Sequence, residues 1–296
     1  MGTLNQLPKK VKVVMELEFL LINQLYQRKP FIGGRIGYAK DTLFKWLIVK
    51  KITHWDYRSV ADSSGISHPT LVRTNQSFER KGIYEQFFQF LIKKAVEEGL
   101  IKGEKVAIDS SFVKTFSGKE EDGSRYSGFK KANGFKLHAL IDAQTGFPLA
   151  LVITDGLFPD GYCAIPLLKK AKRYVKKLGY VLADKGYDDT DIVAWIVKKL
   201  HAKAGIPMRK KSKLAKGKPH RYGNLLNWKL KAAGRTFKKS ILNLRSEIER
   251  LFSSLKRSFH LGKDATRGIK AFTRNVYLSL ISYCLNKFYL VGVRSF

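Results

Sequence analysis

The texture of the chain changes once, near Lys105, and that change limits the folds open to it. Before it, LFKWLIVKKI, YRSVADSS, HPTLVRTNQSFER and YEQFFQFLIKKAVEEG carry the apolar spacing of helices. After it come three strand-like runs, VAIDSSFV, FKLHALIDA and FPLALVIT, separated by the polar turns SGKEEDGS and AQTG. A helical stretch from Pro166 to Leu178 follows, then a YVLAD strand, a DIVAWIVKKL helix and a short GIPM run. Three strands followed by alternating helix and strand predict an α/β fold, a mixed sheet with helices on its faces, behind an all-α region. The expected division is 1–100 helical and 101–296 sheet-containing, with a basic, glycine-punctuated insertion at about 209–239.

The segment YVLADKGYDDT places Asp184, Asp188 and Asp189 together, with Asp191 close behind, in a chain of 56 basic and 24 acidic residues. Gly186 allows a turn, and Asp188 or Asp189 is placed to cap the helix expected over Asp191–Leu200. Asp184 is left without a capping duty. It stands at the carboxyl end of a strand, where open α/β sheets put their ligands.

The net charge of +32 burdens a compact chain with self-repulsion and calls for a polyanionic partner. Basic residues spread along the chain favour nucleic acid over a membrane surface. The N-terminal stretch carries Glu16 and Glu18, unlike a signal peptide, and the last apolar stretch is interrupted by Asn286 and Lys287. Two cysteines, Cys163 and Cys284, make no disulfide framework and suit a reducing cytoplasm. With nucleic acid as the expected partner, the expected place there is the nucleoid.

In YRSVADSSGISHPTLVRTNQSF, residues about 57–78, Ala61, Gly65 and Leu71 have the spacing of two helices crossing at a tight turn. Ile66 and Leu71 would plug the angle between them, with Ser67 as cap and Pro69 in the first turn. Such a helix-turn-helix turns His68, Thr70 and Arg73 outward to a DNA major groove. An ordinary helical hairpin is the competing reading. Trp228, in the basic insertion, is either a stacking platform for a base or a packing anchor.

Three carboxylates stand out: Asp109 in VAIDSSFV, Asp184, and Glu249 in LRSEIERLFSSLKRSF. Each alone has a structural reading, Asp109 as the partner of a buried lysine, Asp184 as the cap of a turn and Glu249 in a surface ion pair with Arg245; together they suggest a site. Leu244, Ile248, Leu251, Phe252, Leu255 and Phe259 give that last segment a buried helical face, with Arg245, Glu249 and Lys256 in a stripe along its edge. Hard oxygen donors of this kind suit two Mg²⁺ or Mn²⁺ ions, held roughly 3.5–4 Å apart, for phosphodiester cleavage.

Asp109, Asp184 a further 75 residues on, and Glu249 a further 65, resemble the DDE transposases of bacterial and archaeal insertion sequences. The likeness is nearest to insertion-sequence families four and five, whose catalytic core is RNase H-like. VAIDSS is similar to the first-aspartate strand, NGFKLHALIDAQTGFPLALVIT to the next two strands, and LADKGYDD to the second-aspartate signature. Arg245, Glu249 and Lys256 fill three of the four places of the third-acid signature, while Leu242 stands where its tyrosine would be. FPDG (Phe158–Gly161) replaces the usual His-Asp, which leaves Asp160 outside the expected site. The resemblance covers roughly residues 100–285.

It implies a transposase that binds the terminal inverted repeats of its element, cuts DNA with two metal ions and joins the 3′-OH to target DNA, as a homodimer on DNA. Arg245 and Lys256 would grip phosphates. Lys185, Lys136 and His138 complete the expected DNA contacts, although a satisfied core histidine is the plainer reading of His138. The rival expectation is a non-catalytic DNA-binding protein, a domesticated transposase acting as repressor. A nuclease without strand transfer would share the same site.

Overall fold

The protein is described by a computed structural model over residues 37–208 and 233–291. In chain order its helices and strands are α1 (Lys40–Thr53), α2 (Tyr57–Ser64), α3 (His68–Arg80), α4 (Ile83–Glu97), β1 (Lys105–Lys114), β2 (Arg125–Ser127), β3 (Ala132–Asp142) and β4 (Pro148–Asp155). They continue as α5 (Gly161–Ala171), β5 (Tyr180–Leu182), α6 (Thr190–Leu200), β6 (Lys203–Gly205), α7 (Lys239–Leu242), α8 (Ser246–Ser258) and α9 (Gly268–Leu290). This is the mixed sheet flanked by helices, preceded by a helical region, that the order of sequence textures predicts. The described residues form two compact units. The first takes those up to Glu97, Val113–Phe135 and those from Phe252 onward; the second takes Glu98–Phe112 and Lys136–Leu251.

In the first unit, α1 to α4 and α9 bury a core in which the Phe44 ring meets Phe78, Tyr84 and Phe87 at centroid distances of 5.9, 5.6 and 4.9 Å. Asp56 caps α2 by accepting the Ser59 amide, and Gly65 ends it in the left-handed conformation (φ 70°) that favours glycine. Ile66 and Leu71 are buried in the corner between α2 and α3, as their spacing predicts. Ser67 behaves differently. Its hydroxyl pairs with that of Thr70 (2.8 Å) instead of capping the helix backbone. Asn75 pins three helices: its amide donates to Tyr57, and its oxygen accepts from Tyr84 at 2.5 Å.

The second unit is built on strands in the order β4–β3–β1–β5–β6. β1 and β5 run parallel, pairing Val106 with Val181 and Ala107 with Leu182, and β5 runs parallel to β6. Val106, Ala107, Ile108, Val181 and Leu182 are buried, the near-continuous apolar run expected of parallel strands covered on both faces. At the end of β3, wholly buried Asp142 accepts from the backbone amides of Lys102 (3.1 Å), Gly103 (2.8 Å), Gln144 (2.9 Å) and Thr145 (2.9 Å). Those bonds tie the approach to β1 to the turn after β3 and give a buried carboxylate the donors it needs.

Candidate active site

The parallel register does the first part of the assembly. Asp109 lies two residues past Ala107 and Asp184 two residues past Leu182, so a paired position carries both aspartates to the same end of the sheet. Asp109 is mostly shielded, with 22% of its side chain exposed, and one of its oxygens accepts the Ser110 amide at 2.8 Å. Burial, opposed by that hydrogen bond and reinforced by the negative charge of Asp184, raises its pKa from 3.8 to about 6.

Asp184 caps a single 3₁₀ turn, Lys185–Tyr187, its Oδ1 accepting the Gly186 amide at 2.7 Å. The glycine serves closeness: a Cβ there would stand 2.7 Å from Asp184 Oδ1. Of the two capping candidates for α6, Asp189 performs the task through the amides of Asp191 and Ile192, and the helix opens at Thr190. Asp188 is consumed elsewhere, in an ion pair at 2.6 Å with Arg235 in which neither side chain is exposed.

Arg245 closes the constellation. It ends the short turn before α8, places Nη2 3.0 Å from Glu249 one helical turn later, and places Nη1 3.6 Å from Asp109. A carboxylate on a strand and another on a helix thus share one guanidinium. Glu249 is more than half exposed. Among the described residues no three acidic, histidine or cysteine side chains stand close enough to hold an ion together. Where three acids were expected to converge, two are joined through a cation of the chain itself. The donor type is still the one a hard divalent cation takes: carboxylate oxygens alone.

Leu242, where the resemblance expects a tyrosine, is half-buried and packs toward β6, its methyl 3.3 Å from where a Gly205 Cβ would be. Lys256 lies on α8 in the first unit, half-buried, its ammonium held below the usual range by burial and by Lys130. Lys185 is exposed. On α3, His68 and Arg73 are exposed and Thr70 half-buried, the His68 ring standing edge-on to Tyr57 at 5.7 Å. Trp228 and the rest of 209–232 lie outside the described residues.

Asp160 was not expected in the site. It forms an ion pair with Lys136 at 3.1 Å and stands 3.6 Å from His138 Nδ1, while Lys136 also donates to the Phe158 carbonyl at 2.9 Å. Its charge reaches both Asp109 and Tyr187. The FPDG departure concealed it, and the only sequence signal was the alternation of Lys136 and His138 on one strand. His138 is wholly buried, with Nε2 2.9 Å from Thr154 Oγ1, and burial lowers its pKa to about 4, so the ring is neutral at physiological pH. It faces Asp160 rather than solvent. Tyr187 is buried beneath the acids, its phenol pushed well above its ordinary range by desolvation and by Asp160, Asp109 and Asp184. Cys163, its thiol raised to about 11 by burial, is no nucleophile.

The profile of a family described as "Transposase DDE domain" matches residues 101–285. A solved structure of the piggyBac transposase, in a synaptic complex with hairpin DNA, is similar over 97% of this chain and 73% of that one, at 11% identity and a TM-score of 0.50. The Mos1 mariner transposase, in a paired-end complex with Mn, aligns over 95% of this chain and 88% of that one at 13% identity, with a TM-score of 0.25. A search of the curated proteins found no match. Among the described residues, no helix is long and apolar enough to cross a membrane.

Proposed function

The chain belongs to the DDE transposase domain family, enzymes that cleave and transfer DNA strands, and from that premise we propose that Asp109, Asp184 and Glu249 are its catalytic acids. The observation that carries this reading is the shared register of Asp109 and Asp184 at one sheet end, with Glu249 tethered to Asp109 through Arg245. Divalent ions held by the three acids, two Mg²⁺ or Mn²⁺, would supply an activated oxygen nucleophile and stabilise the leaving 3′ oxygen. The chain's own residues do the rest. Asp184, one oxygen held by the Gly186 amide, would offer its second to the ions. Arg245 holds Asp109 and Glu249 before substrate arrives and offers its guanidinium to a backbone phosphate when it leaves them.

The substrate in this reading is double-stranded DNA, first the terminal inverted repeats of the element and then the target, bound by a homodimer. Residues 1–100 would read sequence through His68, Thr70 and Arg73, and 101–296 would cut, with Lys136, Lys185, Lys256 and Trp228 among the contacts. His138, being buried, would act by holding Asp160 in place. A protein acting on DNA in this way would work at the nucleoid in the cytoplasm. Asp184→Asn should abolish divalent-dependent nicking of end-repeat DNA while leaving the affinity for that DNA intact. A variant that still cuts removes the acid assignment, and nicking absent from the wild-type chain returns the protein to the repressor reading.

A further inference from the structure

A second concentration of charge lies within the first unit, in a cavity of about 460 Å³ lined by α1, α2, α3, α9 and the segment between α8 and α9. Lys51, only 4% exposed, reaches the carboxylate of Asp264 and the amide oxygen of Asn275. Lys50 shares the same carboxylate at 3.9 Å and rests its ammonium over the Tyr57 ring. One acid therefore answers two lysines. Lys263 and Arg274 add two more cations to the lining, and among the described residues neither meets a carboxylate within ion-pairing distance. The remaining acid of the lining, Asp56, is exposed and occupied in capping α2.

Two helix ends shape the same wall. His54 and His260 both adopt left-handed conformations, at φ 63° and 48°, which side chains other than glycine's rarely take. The two rings stack at 3.4 Å with an interplanar angle of 9° on the cavity wall. Burial, helped by nearby positive charge, holds both rings below their usual pKa, and burial lowers Lys51 to about 8.

We propose that this cavity is a phosphate-binding site, in which Lys263, Arg274 and the His54–His260 pair face one phosphate group. Four basic side chains, Lys50, Lys51, Lys263 and Arg274, against two carboxylates leave an excess that a phosphate offsets. Ammonium, guanidinium and imidazole N–H groups are all donors suited to its oxygens. The volume exceeds that of the bare ion and admits the sugar on either side of a phosphodiester. Gln76, on the outward side of α3, lies on the same wall, so a duplex read by that helix brings its backbone to the opening. The phosphate chemistry stands apart from the transposition reading; only DNA as its source rests on it.

Trp55 lies on the cavity wall and reports on its contents. Titrating the full chain with inorganic phosphate at constant ionic strength should give a saturable change in tryptophan emission that is lost in Trp55→Phe. In Lys263→Gln/Arg274→Gln the midpoint should rise at least tenfold. Lys263→Gln alone, at an exposed loop position, should raise it several-fold with the circular dichroism unchanged. An equal response to chloride, or a double variant that titrates like wild type, overturns the site. A duplex titrated across salt concentrations then identifies the source. If the backbone enters the cavity, the salt slope of log K falls by about 0.9 for each phosphate that the double variant no longer neutralises. An unchanged slope beside an abolished response to inorganic phosphate assigns the cavity to free phosphate and overturns DNA as its ligand.

Discussion

Replacing Asp109 by asparagine should make the protein more stable at pH 8 while removing its chemistry. The carboxyl pKa is about 6 in the folded chain against 3.8 for the free side chain, chiefly because it is buried. A raised acid pKa means that the folded state holds the proton more tightly than the unfolded one. Stability is therefore lost as pH rises from about 4 to about 6, and it stays lost above that. Two pKa units correspond to about 3 kcal/mol of destabilisation at pH 8, with the attraction of Arg245 already counted in the shift. Asparagine keeps the shape and can still accept from the Ser110 amide, yet carries no charge to desolvate. In urea unfolding with divalent ions chelated, Asp109→Asn should exceed wild type by up to about 3 kcal/mol at pH 8 and by about 1 kcal/mol at pH 4.5. An advantage that does not change with pH, or a variant less stable than wild type at pH 8, would refute the account of this carboxylate.

Three further outcomes follow from the packing. Asp188→Ala removes the buried carboxylate of the Asp188–Arg235 ion pair and should cost roughly 3–5 kcal/mol in the same urea experiment. Gly186→Ala pushes a methyl against the Asp184 carboxylate and should cut DNA cleavage by about 100-fold with the unfolding midpoint little changed. Asn75→Ala leaves the Tyr57 and Tyr84 hydroxyls without their shared partner and should cost about 1–3 kcal/mol, part of which Tyr84→Phe should restore.

The sheet-forming part of the chain was legible because strand and helix periods are local. The positions of Asp109 and Asp184 followed, since each sits at the end of its own apolar run. The helix pair around Gly65 was legible for the same reason: Ile66 and Leu71 lie within a few residues of the turn they fill. What escaped was every feature decided by a distant partner. Asp188 reads as a cap, yet its fate depends on Arg235, 47 residues away. Asp160 reads as a loop acid until β3 brings Lys136 and His138 beside it. The placement of Arg245 between two acids depends on a strand and a helix whose meeting no periodicity encodes. Gly186 reads as a turn residue and does stand in a 3₁₀ turn, but its closeness to Asp184 is what leaves no room for a side chain. A glycine needed for clearance looks the same in sequence as one needed for a turn.

The first unit is not a continuous piece of polypeptide, and this bears on how it can come into being. Phe88 packs edge-on against Tyr277, and Lys51 depends on Asp264 and Asn275, so α1 and α4 find their final neighbours only far along the chain. During synthesis those early helices must wait for α9 to leave the ribosome, with apolar faces uncovered meanwhile. A fragment cut off near residue 100 would inherit the same exposed faces for good and should be prone to clump. Dissecting this protein into a reading half and a cutting half would therefore call for grafting α9 back by a linker, since trimming alone leaves the early helices unroofed.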